Sequence, residues 1–174
     1  MNNRTSEIAV SWQHYSFVCA LSFVAWMLLA GNLSGQELGL GALVAVVVAA
    51  LSGKHLKVLT GIRFRPMAPI HVILFLGAFF KALVLANLDL ARRVLTPSLP
   101  IRPELVEIDT ELQSALGRLL LTSAITLTPG TLSVDVRDDQ ILVHWVYCPP
   151  GLDIGERTRA IAGAFERHLK GFVT

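Results

Sequence analysis

The feature that most constrains this chain is a long apolar stretch near its start that carries no charge. Between Glu7 and Glu37 the sequence has no Asp, Glu, Lys or Arg, and its centre, Phe17–Gly31, reads FVCALSFVAWMLLAG. Leaving such a segment in water would cost many kcal/mol, at about 25 cal/mol per Å² of apolar surface. About 20 apolar residues suffice for a helix to cross a bilayer, and we therefore predict a membrane helix over about residues 15–32.

A second apolar segment follows at once, which argues against a cleaved signal peptide and predicts a membrane helix over about residues 37–53. Small residues recur in it at every fourth position: Gly41, Ala45, Ala49 and Gly53. Small side chains at this spacing let two helix backbones approach closely in lipid. We expect a hairpin that turns at Gly31–Glu37, with the small-residue stripe as an interface. The alternative is that Gly and Ala are simply common in membrane helices.

A third apolar segment, predicted as a helix over about residues 69–95, has positive charge at both of its ends. Arg92-Arg93 follows it, and a basic loop precedes it. The loop contains Lys54, His55, Lys57, Arg63 and Arg65. Basic loops face the cytoplasm, so a single crossing would place one basic cluster on the outside. Two placements stay open from the sequence: a helix that crosses, and a helix that lies along the cytoplasmic interface.

Polar side chains interrupt this third segment at Lys81, Asn87 and Asp89. An ionisable residue inside a membrane is a functional candidate, because inserting it costs about 2.5–3.5 kcal/mol. Lys81 and Asp89 are eight positions apart, so they share a helix face without direct contact. A part in ion movement is one interpretation. The other is structural, with Lys81 reaching to the interface or pairing with a partner subunit.

Charge divides the chain into a basic and an acidic half. Residues 1–100 contain eight Lys/Arg and three Asp/Glu, whereas residues 101–174 contain seven and ten. A proline-punctuated linker begins at Pro97, and we predict a membrane domain over residues 1–96 and a cytoplasmic domain over residues 97–174. The net charge of +2 is too small to indicate a nucleic-acid partner.

The acidic half has the pattern of a small α+β domain. The predicted elements, in order, are a strand at 105–108, a helix at 110–127, strands at 131–137 and 141–147, and a helix from about 153 to 171. The order β-α-β-β-α predicts an antiparallel sheet with its helices on one face. In the hairpin, alternation predicts that Leu132, Val134 and Val136 face the core. In the helix at 110–127, spacing places Leu119 on the buried face and Asp109 or Thr110 at the N-cap.

No catalytic or metal-ligand spacing occurs, so we expect no enzyme activity, cofactor or metal. Cys19 and Cys148 lie in different halves, which excludes a disulfide framework. One turn has backbone suited to an anion nest, although such a turn more often joins a helix to a strand. Its residues are Thr126, Thr128, Pro129, Gly130 and Thr131.

The run Ser123–Val136 (SAITLTPGTLSVDV), the helix with Asn87 and the strand with His144 resemble the E subunit of multisubunit cation/proton antiporters of the Mrp or Mnh type. The resemblance covers roughly residues 15–170. The chain departs from it at Ala82, where family members often have Glu after the lysine, and in the segment after His144, which is usually acidic.

The resemblance implies a non-catalytic accessory subunit of a bacterial inner-membrane complex that exchanges Na⁺ or a similar cation for H⁺. Its partners would be the other antiporter subunits and the lipid bilayer, and the ion path would lie mainly in the large subunits. The candidate interface residues are Gly41, Ala45, Ala49, Lys81, Asn87, Asp89, Thr126, Thr128, Pro129, Gly130, Thr131 and His144. Two alternatives are a membrane-anchored regulatory or ligand-binding domain, and a homo-oligomeric transporter built around Lys81 and Asp89.

Overall fold

The computed structural model describes residues 12–54, 61–63 and 65–174. Contacts divide the chain into two compact units, residues 1–60 and residues 61–174. This division falls before the third apolar helix, because that helix packs on the domain that follows it. His55 and Lys57 of the predicted basic loop lie outside the described residues.

The first unit contains two antiparallel helices, α1 (Trp12–Ala30) and α2 (Gly35–Leu51), followed by a 3-10 turn at Ser52–Lys54. Gly31 ends α1 in the left-handed region at φ +60°, which a residue without a side chain adopts at little cost. Ser34 begins α2, and its side chain accepts a hydrogen bond from the Glu37 N–H at 3.4 Å.

The small-residue stripe lies between the two helices of this hairpin. The buried residues of α2 are Gly41, Ala45 and Ala49, and α1 covers them. A Cβ atom placed on Gly41 would lie 2.6 Å from Cδ1 of Trp26, far inside van der Waals contact. The Trp26 indole also donates a hydrogen bond to Glu37 at 3.3 Å. The stripe is therefore the surface of α2 that packs against α1.

We expect Gly41→Val to destabilise the hairpin by about 1–3 kcal/mol, because the added side chain must push α1 away. Gly39→Val is the matched control on the same helix, since a Cβ atom placed on Gly39 would have no neighbouring atom within 4 Å. The measurement is the midpoint of thermal unfolding in mild detergent. Equal midpoints for the two variants would contradict close packing at Gly41.

The second unit begins with the long helix α3 (Ala68–Leu95) and continues into the α+β domain. Its strands are β1 (Glu104–Asp109), β2 (Thr131–Arg137) and β3 (Gln140–Trp145), and its helices are α4 (Ala115–Leu127), α5 (Ile154–Ile161) and α6 (Gly163–Leu169). The sheet is antiparallel with the order β1-β3-β2, so β3 is central and the other two strands are edges. The predicted fold class is confirmed.

The core of the second unit lies between one sheet face and the helices. Fully buried residues come from both layers: Val106, Ile108, Leu121, Ile125, Ile141, Val143 and Leu169. Phe75, Phe79 and Ala82 of α3 pack against this core as partly buried residues. The third apolar helix is thus a structural layer of the domain.

The prediction for the start of α4 was wrong. The helix begins after Ser114, whose side chain accepts a hydrogen bond from Gly117 N–H at 3.0 Å, and not at Asp109 or Thr110. Asp109 stays in β1, paired with Gln140. The prediction for Leu119 was also wrong, because its side chain is 56% exposed while Leu121 is fully buried.

The predicted orientation of β2 was wrong as well. Leu132, Val134 and Val136 are each at least 40% exposed. Ser133 faces the helices instead, and its hydroxyl donates to the Thr122 carbonyl at 3.2 Å. The pairing with β3 shifts between Ser133 and Asp135, which is the irregularity expected of a β-bulge on an edge strand. Burial therefore still alternates from Thr131 to Val136, but Ser133 and Asp135, not the three apolar residues, occupy the less exposed positions.

Candidate functional site along the third helix

One side of α3, here called the inner face, contacts the α+β domain from one end of the helix to the other. The inner face consists of His71, Phe75, Phe79, Ala82, Ala86, Leu90 and Arg93. Phe75 packs edge-on against Phe165 and Phe172, with ring centroids 6.4 and 6.1 Å apart. A Cβ atom on Gly171 would overlap the imidazole of His71, so only glycine allows this approach.

Arg93 joins three segments of the second unit at the far end of the inner face. Its Nε donates to Oδ2 of Asp89 at 2.7 Å, and its Nη1 donates to the carbonyl of Pro100 at 2.8 Å. Its guanidinium carbon lies 3.9 Å from the ring centre of Tyr147, a cation–π contact. With 16% of its side chain exposed, Arg93 fixes the linker and the segment after β3 to α3. Asp89 therefore pairs with Arg93.

A cavity of about 420 Å³ lies between the inner face and the domain. Its walls are largely apolar, and the Asp89–Arg93 pair and the Thr128–Thr131 turn form its polar part. The fold thus brings together two groups of candidates that are about 40 positions apart in the sequence. Lys81, Asn87 and His144 do not line this cavity.

The turn Thr128–Thr131, here called the threonine turn, is hydrogen-bonded to the end of α4. Thr128 donates its hydroxyl to the Ala124 carbonyl at 2.8 Å, and Thr131 donates to the Ile125 carbonyl at 2.7 Å. The Thr126 hydroxyl accepts from the Ser133 N–H at 3.2 Å, and Gly130 takes a positive φ of 93°. A helix C-terminus carries partial negative charge, which disfavours an anion there. The geometry fits a connection between helix and strand.

The side of α3 opposite the domain, here called the outer face, is apolar and exposed. It consists of Ile70, Ile73, Phe80, Val84, Leu88 and Leu95, each at least 49% exposed. Lys81 and Asn87 flank it and are also exposed. The Asn87 side chain donates to the Leu83 carbonyl one turn earlier, at 2.7 Å. Within the described ranges, no ion pair involves Lys81.

His144 lies on the other side of the sheet from the helices. It pairs with Leu105 and Leu132 on the two edge strands, and both leucines are about half exposed. Its neighbour Val143 points into the core, so alternation turns His144 outward. This sheet face is a second apolar surface, separate from the cavity.

Sequence reasoning missed Glu166, a buried carboxylate that orders the loop between β1 and α4. It accepts hydrogen bonds from the Glu111 N–H at 2.6 Å and from the Thr110 hydroxyl at 3.1 Å. Its side chain is 9% exposed and lies 3.8 Å from the ammonium of Lys170. No local pattern predicts this role, because the partners are more than 50 positions away.

Among the described residues outside the apolar helices, two groups have shifted pKa values. Burial raises the pKa of the Cys148 thiol above its ordinary value of 9.0, and the nearby Glu104 adds to this. The hydrogen bond from Arg137 lowers the pKa of Asp135, an exposed group on β2. Among the described residues, no group of three or more His, Cys, Asp or Glu side chains is placed to bind a metal.

Proteins of similar sequence include components of Na+/H+ antiporters. A family model described as MNHE, Na+/H+ ion antiporter subunit, matches residues 19–171. The E subunit of the Na(+)/H(+) antiporter of Alkalihalophilus pseudofirmus is 40% identical over 100 residues, which are 56% of this chain and 61% of that protein. The corresponding E subunit of Bacillus subtilis is 40% identical over 75 residues, 43% of this chain and 48% of that protein. Both alignments therefore span less than two thirds of the relative.

Longer matches exist at lower identity. The E1 subunit of the Na(+)/H(+) antiporter of Staphylococcus haemolyticus is 31% identical over 126 residues, covering 71% of this chain and 76% of that protein. Among solved structures, a chain of the membrane-bound sulfane sulfur reductase, an archaeal respiratory membrane complex, superposes with a TM-score of 0.76 and 32% identity. That superposition covers 90% of this chain and 97% of the other.

Two helices long and apolar enough to cross a membrane, together with a small α+β domain packed on one of them, define a membrane protein of the kind found as a subunit in larger membrane complexes. Within that class, this chain belongs to the Na+/H+ ion antiporter subunit family MNHE, which is matched over most of its length.

We expect Arg93→Gln to lower the free energy of unfolding by about 1.5–3 kcal/mol, because it removes charge-assisted hydrogen bonds in a largely covered position. Arg92→Gln is the control, since Arg92 is the neighbouring, exposed arginine. Thermal unfolding in detergent measures both. If the two variants have equal unfolding midpoints, the contacts of Arg93 with Asp89, Pro100 and Tyr147 do not contribute to stability.

Because its pKa is raised and it is fully buried, we expect the Cys148 thiol to resist alkylation in the folded protein at neutral pH. A cysteine in place of the exposed Val134 should react at once, and Cys148 should react after unfolding. A neutral buried thiol stabilises the fold below its ordinary pKa of 9.0, and this stabilisation is lost as pH rises through the folded pKa. Rapid labelling of native Cys148 would contradict its burial.

Proposed function

We propose that this chain is a non-catalytic accessory subunit of a multisubunit antiporter that exchanges Na⁺ for H⁺, required for assembly of the complex and for ion transport. The observation that carries the proposal is the family match over residues 19–171. The named relatives are the E and E1 subunits of antiporters, which supports partners of the same kind here.

The proposed location is the inner membrane of a bacterium. The α1–α2 hairpin crosses the membrane twice, and the α+β domain lies on the cytoplasmic side. The apolar length of α1 supports the crossing, and Arg63 and Arg65 between the hairpin and α3 support the orientation, because basic loops stay in the cytoplasm.

The features of the second unit favour a structural role over ion movement. Asp89 is paired with Arg93, the residue that holds the linker to α3, and Lys81 is exposed on the flank of α3. The ligand-binding alternative needs free donors at the threonine turn. Thr128 and Thr131 instead donate both their backbone N–H groups and their hydroxyl protons to carbonyls of α4 and of the turn itself.

The test is Na⁺-dependent proton exchange in everted vesicles from an antiporter-deficient host. The host expresses the other antiporter subunits of the same organism with or without this chain, and a pH-sensitive dye reports the collapse of the pH gradient on addition of Na⁺. We expect exchange only when the chain is present, together with recovery of the large subunits on affinity purification through a tag on it. Full exchange and a fully assembled complex without the chain would overturn the proposal.

A pair of variants connects assembly to the hairpin. Ala45→Leu enlarges a residue that is 1% exposed inside the hairpin, whereas Val46→Leu adds one methylene at a position that is 59% exposed. We expect Ala45→Leu to lower the yield of assembled complex severalfold, because α1 and α2 can no longer pack closely. Val46→Leu should leave the yield unchanged. Normal yield of both would mean that the hairpin packing does not support assembly.

A further inference from the structure

We propose that α3 does not cross the bilayer but lies in its cytoplasmic surface, with its outer face in the lipid and a basic flank that binds anionic phospholipid headgroups. The inference rests on the proposed membrane location and adds a lipid-binding surface to it.

The α+β domain contacts α3 along nearly its whole length. His71 meets Gly171 near one end, and Arg93 contacts Tyr147 and Pro100 near the other. At 1.5 Å per residue, these ends are about 33 Å apart, as long as the hydrocarbon core of a bilayer is thick. The domain therefore runs beside the whole helix.

The polar groups of the α+β domain are incompatible with a crossing α3. A crossing α3 would bring the domain into the hydrocarbon with it, including the open edges of β1 and β2. Lipid-exposed sheet edges and irregular loops do not occur in the hydrocarbon region, because their backbone groups would lack hydrogen-bond partners. Arg167 and Lys170, at the end of α6, would be brought in too. A helix lying along the interface avoids these costs.

The side chains around α3 form an apolar outer face that is bordered by basic residues. The outer face lies opposite the inner face, and its exposed residues are entirely apolar. Lys81 and Arg92 are eleven positions apart, three helical turns, so they lie in one row along the edge of the outer face. An apolar face bordered by basic residues is typical of helices that lie in a membrane surface.

The charge of the flank points to anionic lipid as the occupant. Lys81 has no ion-pair partner in the part of the chain that the structure describes, and Arg92 is exposed beside it. Arg63 and Arg65 precede α3 and add positive charge at its other end. Phosphatidylglycerol headgroups supply the matching negative charge, at the depth where an in-plane helix holds its basic side chains.

The first experiment measures depth in the membrane. The full chain with Cys19→Ala carries one added cysteine at Ile73, Val84 or Leu95, three outer-face positions eleven residues apart that are each at least 57% exposed. A spin label on each reports its accessibility to oxygen and to a water-soluble nickel complex in phospholipid vesicles. We expect the same shallow depth at all three. A deep Val84 between two shallow ends would establish a crossing helix and overturn the proposal.

The second experiment measures lipid binding. Native mass spectrometry counts phosphatidylglycerol retained by the full chain and by Lys81→Gln, Arg92→Gln and the double variant. We expect affinity to fall about fivefold for each charge removed. Arg137→Gln is the control, because Arg137 is also exposed but lies on β2. Unchanged lipid retention in the double variant would overturn the lipid assignment. Displacement of the retained lipid by a protein partner that covers the outer face would overturn it too.

These results are separable from those of the proposed function. Shallow labels and charge-dependent lipid binding with no effect of the chain on Na⁺/H⁺ exchange would overturn only the antiporter role. A deep Val84 label in a chain that still supports exchange would overturn only the placement of α3.

Discussion

The contact between the inner face of α3 and the helices of the α+β domain is the interaction on which the second unit depends. Phe75 and Phe79 pack on Phe165, and the core they extend already contains residues of both the sheet and α6. A domain of this size has a thin core of its own, and the partly buried Phe75, Phe79 and Ala82 of α3 extend that core by one apolar layer. The consequence is that an apolar helix of membrane length is also a structural layer of the α+β domain.

Arg93 complements this apolar contact with a directional one. Aromatic packing fixes the distance between α3 and α6 but leaves some freedom to slide. The hydrogen bonds of Arg93 to Asp89 and Pro100, and its contact with Tyr147, have defined geometry and fix the linker at the other end of the helix. Asp89, which looks in the sequence like an isolated intramembrane charge, is neutralised by this arginine one turn later.

Close packing through small residues governs the first unit in a similar way. In lipid there is little hydrophobic gain from bringing two apolar helices together, so their contact relies on van der Waals packing. Gly41, Ala45 and Ala49 leave the space that Trp26 and its neighbours occupy. Their spacing is visible in the sequence, but which surface they meet is not.

The sequence by itself determined the three apolar helices, the family and the order of elements in the domain as far as β3, because hydropathy, periodicity and turn residues act locally. The single last helix predicted over about 153–171 was wrong, because the chain breaks at Ala162 into α5 and α6. Tertiary structure decided which faces are used. It placed Ser133 inward, opposite the buried Val143, and Leu132 outward, opposite His144; it also began α4 after Ser114 and paired Asp89 with Arg93. It also packed the α+β domain against α3. Such choices depend on contacts between residues distant in the chain, for example Thr110 with Glu166, and local patterns contain no information about them.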